Sequence, residues 1–188
     1  MSSYSSEDYK AELDRIKSKS RFSRNILPFV YIPVAVIALL ILIVTLFFPI
    51  TRIYGTSMSP TLEEGNYVLT RKGSKCKSGD VIAFYYNNKT LVKRVIANEG
   101  DWVNIDEAGN VFVNNVFIEE PYIEDKAFGE CNIVLPYQVP ENRVFVMGDL
   151  RSSSIDSRNT AIGCIAEEQI VGKVLFSLWP LNRFGKVN

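Results

Sequence analysis

VIAFYYNNKTLVKRVIANEGDWVNI, residues 81–105, contains three short runs rich in valine, isoleucine and aromatics, separated by turn residues. VIAFYY (81–86) ends at Asn87-Asn88, TLVKRVIA (90–97) ends at Glu99-Gly100-Asp101, and WVNI (102–105) follows. β-Branched and aromatic side chains suit a pleated, half-buried surface, and asparagine and glycine accept the positive φ angles of tight hairpin turns. The stretch therefore reads as antiparallel strands joined by hairpins. The same pattern extends to YVLT (67–70), VFV and VFI around Asn114-Asn115, RVFVM (143–147) and IVGKVLFSLW (170–179). Further turn signals stand at Glu64-Gly65-Asn66, Ser78-Gly79-Asp80 and Ala108-Gly109-Asn110. A mainly β fold is expected, an antiparallel sheet system of the sandwich or open-barrel kind. Residues 119–142, with Pro121, Gly129, Pro136 and Pro140, break the pattern and read as an inserted loop or small subdomain.

Upstream the periodicity is different. No charged residue occurs from Asn25 to Thr51, and residues 34–48 read VAVIALLILIVTLFF. Roughly 20 apolar residues cross a bilayer as a helix. The apolar core is longer than that of a cleavable leader, and no small-x-small site follows it, so an uncleaved anchor is expected. Lys10, Arg15, Lys17, Lys19, Arg21 and Arg24 precede the run, and only Arg52 follows closely. The positive-inside rule then keeps the N-terminus in the cytoplasm. The expected organisation is a cytoplasmic tail (1–25), a transmembrane helix (26–50) and an extracytoplasmic domain (51–188), single-pass in the cell membrane. Within the tail, Ser5-x-x-Asp8 spells a capping box, and Tyr9, Leu13 and Ile16 share a helical stripe.

Composition excludes several chemistries. Lysine plus arginine and aspartate plus glutamate both number 21, so the net charge gives no footprint for nucleic acid. Histidine is absent, which removes Ser-His-Asp triads, Cys-His dyads and histidine-bound zinc. Cys76, Cys131 and Cys164 form no CxxC pair and read as packing or surface residues, with one disulfide left open. No metal or other cofactor is expected. A serine hydrolase built from this composition needs another base, and a lysine serves if burial disfavours its ammonium and lowers its pKa from about 10.4. Lys93 lies in the apolar run TLVKRVIA, where strand alternation puts Leu91, Lys93 and Val95 on one face and Arg94 on the other.

Three ordered stretches, GTSMSPTL (55–62), LVKRVIANEGD (91–101) and VFVMGDLRSSSIDSRNTAIG (144–163), together resemble the conserved boxes of bacterial type I signal peptidases. The resemblance covers about residues 25 to 180, and the single N-terminal anchor is similar to the Gram-positive form. It implies the signal peptidase fold and a membrane-bound serine endopeptidase that removes N-terminal signal peptides by Ser-Lys acyl transfer. By position, Ser57 matches the nucleophile, Lys93 the general base and Ser154 the residue that orients the lysine. Asp156 and Arg158 match a structural ion pair, and Asp149 and Arg151 match residues that shape the same loop. The backbone N–H of Ser57 is the expected oxyanion donor. Gly55 stands where some members carry a second, serine donor. Leu150 replaces an asparagine, and Ala97-Asn98-Glu99 replaces a Gly-Leu-Pro run.

The implied substrates are exported preproteins with small residues at −1 and −3 from the cut. Ile53, Tyr54, Met58, Leu91 and Val92 are the expected pocket, and Ile53, Tyr54 and Tyr67 are placed to meet the lipid bilayer. Two other readings share the scaffold: a processing peptidase dedicated to one substrate such as a pilus subunit, and a catalytically silent, membrane-anchored assembly factor.

Overall fold

The computed structural model describes residues 6–73 and 75–187 and divides between Leu46 and Phe47 into two units. The first unit is a helix, α1 (Ser6–Phe47), that runs unbroken through Pro28 and Pro33. Its last part, Pro28–Phe47, has a mean hydropathy of 2.9 with none of its side chains buried. Twenty residues at 1.5 Å each give about the 30 Å of a hydrocarbon core. Thr45, a polar residue within it, returns its hydroxyl to the carbonyls of Ile41 and Leu42, so its proton is satisfied inside the helix. The tail expected as a separate element continues the same helix, with Leu13 and Ile16 exposed. The capping box at Ser5 and Asp8 and the side chain of Tyr9 lie outside the described residues. The helix stops at Phe47, short of the expected residue 50. Pro49 has no N–H to donate and disfavours a helical Phe48, and Ile50 already pairs with Leu69 in a sheet.

In the second unit every strand pairing is antiparallel, with two short 3-10 turns, Glu167–Gln169 and Leu181–Arg183, beside the strands. Its strands are β1 (Ile50–Arg52), β2 (Tyr67–Arg71), β3 (Val81–Tyr86), β4 (Lys89–Ala97), β5 (Trp102–Ile105), β6 (Val111–Val113), β7 (Val116–Phe117), β8 (Tyr137–Gln138), β9 (Arg143–Met147), β10 (Ile165–Ala166), β11 (Ile170–Trp179) and β12 (Gly185–Lys186). The larger sheet runs β1-β2-β11-β3-β4-β9-β10, with β12 added on β11, and the smaller runs β7-β6-β5-β8. The short strands β1, β8, β10 and β12 escape the sequence reading because two or three residues show no alternation. Both Asn-Asn pairs turn hairpins as expected: Asn87 and Asn88 join β3 to β4 at φ 44° and 61°, and Asn114 and Asn115 join β6 to β7 at 52° and 64°. Positive φ at both central residues is the signature of the type I′ turn, whose twist matches the strands.

Alternation on β3 and β4 sends side chains into two different packed clusters. Val81, Ala83 and Val92 join Ile53, Met58, Leu62, Val68 and Val174. Ile82, Phe84 and Val95 join Val144, Val146 and Ile165. A third cluster draws on both sheets through Ile96, Val103, Val111, Phe145 and Met147. The middle of the larger sheet is thus covered on both faces, and β4 carries Lys93 and Arg94 through it. No disulfide joins Cys76, Cys131 or Cys164.

β11 pairs with β3 over Ile170–Lys173 and with β2 from Lys173 to Trp179, with register shifts along both ladders. Gly172 packs tightly against β2: an added Cβ would come within 2.5 Å of the Arg71 carbonyl oxygen. Gly172→Ala is expected to cost about 1–3 kcal/mol by overpacking, read as a lowered Tm of the full chain in detergent. Gly185→Ala, where an added Cβ meets nothing within 4 Å, is expected to change stability by less than about 0.5 kcal/mol.

Candidate active site

Ser57 lies in the turn that follows β1. The turn is closed by Ser59 N–H donating to the Thr56 carbonyl at 2.9 Å and Leu62 N–H to the Met58 carbonyl at 2.8 Å. Met58 and Leu62 are buried and fasten the turn to the core, while Ser57 stays half-buried. The Ser57 carbonyl accepts from Leu150 N–H at 3.1 Å, and the Leu150 carbonyl accepts from Ser154 N–H at 3.1 Å. Gly148, just after β9, packs against both serines: an added Cβ would overlap Ser154 Oγ and the Ser57 carbonyl oxygen. The sequence-distant Ser57 and Ser154 therefore share one backbone junction.

Lys93 reaches the same junction from β4. It is 3% exposed, and its Nζ donates to Ser154 Oγ at 2.8 Å. Ser154 Oγ in turn donates to Asp156 Oδ2 at 2.7 Å. That carboxylate also accepts from Gly148 N–H at 3.0 Å and is held by Arg158 through Nε–Oδ1 and Nη2–Oδ2 bonds of 2.9 Å each. Arg158 has its remaining donors on the carbonyls of Phe128 and Arg151 at 2.8 and 3.0 Å. Burial strips water from the Lys93 ammonium and pushes its pKa down from 10.5 to about 8, although the Asp156 charge pulls the other way. For Asp156 burial acts upward, but the Arg158 bonds and charge win and hold the carboxyl below its ordinary range.

Around this row lies a second set of buried charges. Arg94 leaves β4 on the opposite face from Lys93, as alternation requires. It is 1% exposed and grips Asp149 through Nε–Oδ1 and Nη2–Oδ2 bonds of 2.9 and 2.7 Å. Thr61 donates to the same carboxylate at 2.6 Å, which ties the Ser57 turn to it. Arg94 also stacks on the Tyr122 ring at 3.8 Å, the Tyr122 hydroxyl donates to Glu120, and Glu120 pairs with Arg151. Arg94, Thr61, Glu120 and Tyr122 are the residues that sequence reasoning missed. Each looks like an ordinary polar residue until its partner, 28 or more positions away in most cases, is known.

Of the expected pocket residues, Ile53, Met58 and Val92 are brought together in one buried cluster. Leu91 packs instead with Ile82 and Phe84 in the other cluster, since neighbours on a strand face opposite ways. Tyr54 is 67% exposed, with Arg52 over its ring. A cavity of about 400 Å³ lies elsewhere, lined by Lys75, Cys76, Glu99 and Arg143 among others, and includes none of Ser57, Lys93 or Ser154. Among the described residues, no group of three or more carboxylates, thiols or imidazoles is placed to hold a metal ion.

The sequence pattern of the family described as Signal peptidase, peptidase S26 matches residues 25–179. The chain belongs to this signal peptidase family of serine peptidases. It is 33% identical over 168 residues to Signal peptidase I of Bacillus licheniformis, covering 82% of this chain and 89% of that protein. It is 36% identical over 152 residues to Signal peptidase IB of Staphylococcus aureus, covering 70% and 78%. Thylakoidal processing peptidase 1 of Arabidopsis thaliana is 36% identical over 146 residues, which cover 69% of this chain and only 41% of that longer protein. A crystal structure of a signal peptidase I from Enterococcus faecalis is 26% identical, covers 53% of this chain and 97% of that one, and has a TM-score of 0.44.

The buried amine gives a stability prediction that needs no activity assay. Between pH 8 and 10.5 the unfolded chain binds a proton at Lys93 that the folded chain does not, so stability rises with pH in that window and is lost as pH falls through 8. The full shift corresponds to about 3 kcal/mol. Lys93→Met is therefore expected to melt above the parent at pH 7, with the gap closing as pH approaches 10.5. A gap independent of pH would contradict the buried, neutral amine.

Proposed function

We propose that this chain is a membrane-anchored serine endopeptidase that removes N-terminal signal peptides from exported preproteins, with Ser57 as nucleophile and Lys93 as general base. The observation that carries the reading is the buried Lys93 amine, hydrogen-bonded to Ser154 at the junction that also holds the Ser57 backbone. The direction of the hydrogen bonds suits a base. The one hydroxyl proton of Ser154 goes to Asp156, so Ser154 can only accept from Lys93. The lone pair of the neutral amine is left for the proton of Ser57.

The reaction follows as acyl transfer. Lys93 takes the Ser57 hydroxyl proton as Oγ attacks the scissile carbonyl carbon, and the carbonyl oxygen becomes an oxyanion facing the Ser57 backbone N–H. The resulting Lys93 ammonium gives its proton to the leaving nitrogen, the C–N bond breaks, and the mature N-terminus departs. Water then attacks the ester with Lys93 again as base, releasing the signal peptide carboxylate and restoring Ser57. Gly55 offers no side-chain donor to the oxyanion. Its φ of +80° favours glycine, although an added Cβ would meet nothing within 4 Å.

The substrate would bind as an added strand. β9 begins to pair with β4 only at Arg94, so residues 89–93 are laddered on one edge, to β3. An extended peptide on the other edge places alternate residues on one face, which suits recognition at −1 and −3 over the floor of Ile53, Met58 and Val92. Residues 26–47 form the anchor in this reading, with 1–25 cytoplasmic and the β unit outside.

Cleavage of a preprotein by the full chain in detergent tests the proposal. Ser57→Ala and Lys93→Met are expected to lose at least about 10³-fold in kcat/KM, whereas Ser59→Ala retains most of the rate. The parent kcat/KM is expected to rise with pH through an apparent pKa of about 8, because only the neutral amine acts as base. Full activity in either dyad variant would overturn the assignment.

A further inference from the structure

The segment expected to be an inserted loop meets the catalytic junction at two points. Glu120, 7% exposed, forms a two-pronged ion pair with Arg151, which is fully buried. The free side of the Arg151 guanidinium is not idle: its Nε donates to the Gly148 carbonyl at 3.0 Å. Gly148 is the residue whose N–H holds Asp156 and whose Cα faces both Ser57 and Ser154. At the second point Gly129 lies flat against the same structure. With φ at +65°, an added Cβ there would come within 2.5 Å of Arg158 Nη1 and 2.6 Å of the Arg151 carbonyl. The neighbouring carbonyl of Phe128 accepts from Arg158.

We propose that Glu120 is a positioning residue of the catalytic site: it locks Arg151, and through Arg151 the Gly148–Ser154 turn that sets Ser57 against the Ser154-bound amine of Lys93. Tyr122 extends the lock, since its hydroxyl donates to Glu120 at 2.7 Å while its ring carries the guanidinium of Arg94. Arg94 in turn holds Asp149, which receives Thr61 from the Ser57 turn. Glu120 thus stands where the restraints on the Ser57 turn and on the Ser154 turn meet, on a segment that contributes nothing to the ladder of the larger sheet. A displacement of one reacting group by about 1 Å costs on the order of 10²-fold in rate. A residue that fixes the turns carrying the reacting groups is expected to act chiefly on kcat.

The inference rests on the catalytic reading of Ser57 and Lys93, and the same assay separates the two: cleavage by Ser57→Ala would sink that reading whatever Glu120 does. With it upheld, Glu120→Gln is expected to lower kcat about tenfold or more with KM within about twofold of the parent. A purely structural role is separated by Glu120→Leu/Arg151→Met. Replacing both members of a buried pair by apolar groups generally restores or improves stability, whereas removing one does not. The double variant is expected to melt at or above the parent while kcat stays down about tenfold or more, because the bond to the Gly148 carbonyl is gone. Recovery of parental kcat along with stability would overturn the proposal. So would Glu120→Gln that keeps kcat within about threefold, or a double variant that fails to fold.

Discussion

The interaction on which the rest depends is the hydrogen bond from a buried lysine amine to a serine hydroxyl. An ammonium at the centre of a sheet is costly, and the protein meets that cost by favouring the neutral form. While its own proton is engaged by Asp156, Ser154 can only accept from Lys93. Arg158 and the Gly148 N–H favour the ionised form of Asp156 against the opposing effect of burial. The row Lys93, Ser154, Asp156, Arg158 is therefore ordered by proton direction as well as by distance. Release of Asp156 would let the Ser154 hydroxyl turn and donate to the amine, consuming the lone pair that the proposed chemistry needs.

The fold supplies this row by placing two cations side by side on a central strand. Lys93 and Arg94 leave β4 on opposite faces, and both faces are covered, so each needs a buried acceptor. The long connection after β9 serves both sides at once, with Asp149 answering Arg94 and Ser154 with Asp156 answering Lys93. The Ser57 turn is bound to this connection through the Ser57 carbonyl and through Thr61. Three separate stretches of chain converge because each is needed to satisfy polar groups of the other two.

The parts legible in the sequence are those that depend on local chemistry. β-Branched runs closed by Asn-Asn or a glycine turn announced β3 to β7, and an uncharged apolar run announced the helix. Lys93 stood out because a chain without histidine needs another base, and TLVKRVIA holds a lysine within an apolar strand. The charges around it were not legible. Glu120 precedes Pro121 in a segment without periodicity, where a carboxylate reads as solvated, and its partner lies 31 residues on. Arg94 was read only as facing away from Lys93, because nothing in a strand pattern distinguishes a buried arginine from an exposed one. Leu91 and Val92 could not both join Ile53 and Met58, and the alternation that separates them was available from the start.

The central claim is that burial beside Ser154 lowers the Lys93 pKa to about 8, so that neutral amine is available near physiological pH where exposed lysines stay charged. Lysine labelled with ¹³C at Cε, with the Lys93 signal assigned by its loss in Lys93→Arg, reports this directly when the full chain is titrated in detergent. The account predicts a midpoint near 8 for Lys93, apart from exposed lysines that titrate at about 10.4. A Lys93 signal that titrates together with the exposed lysines would contradict it.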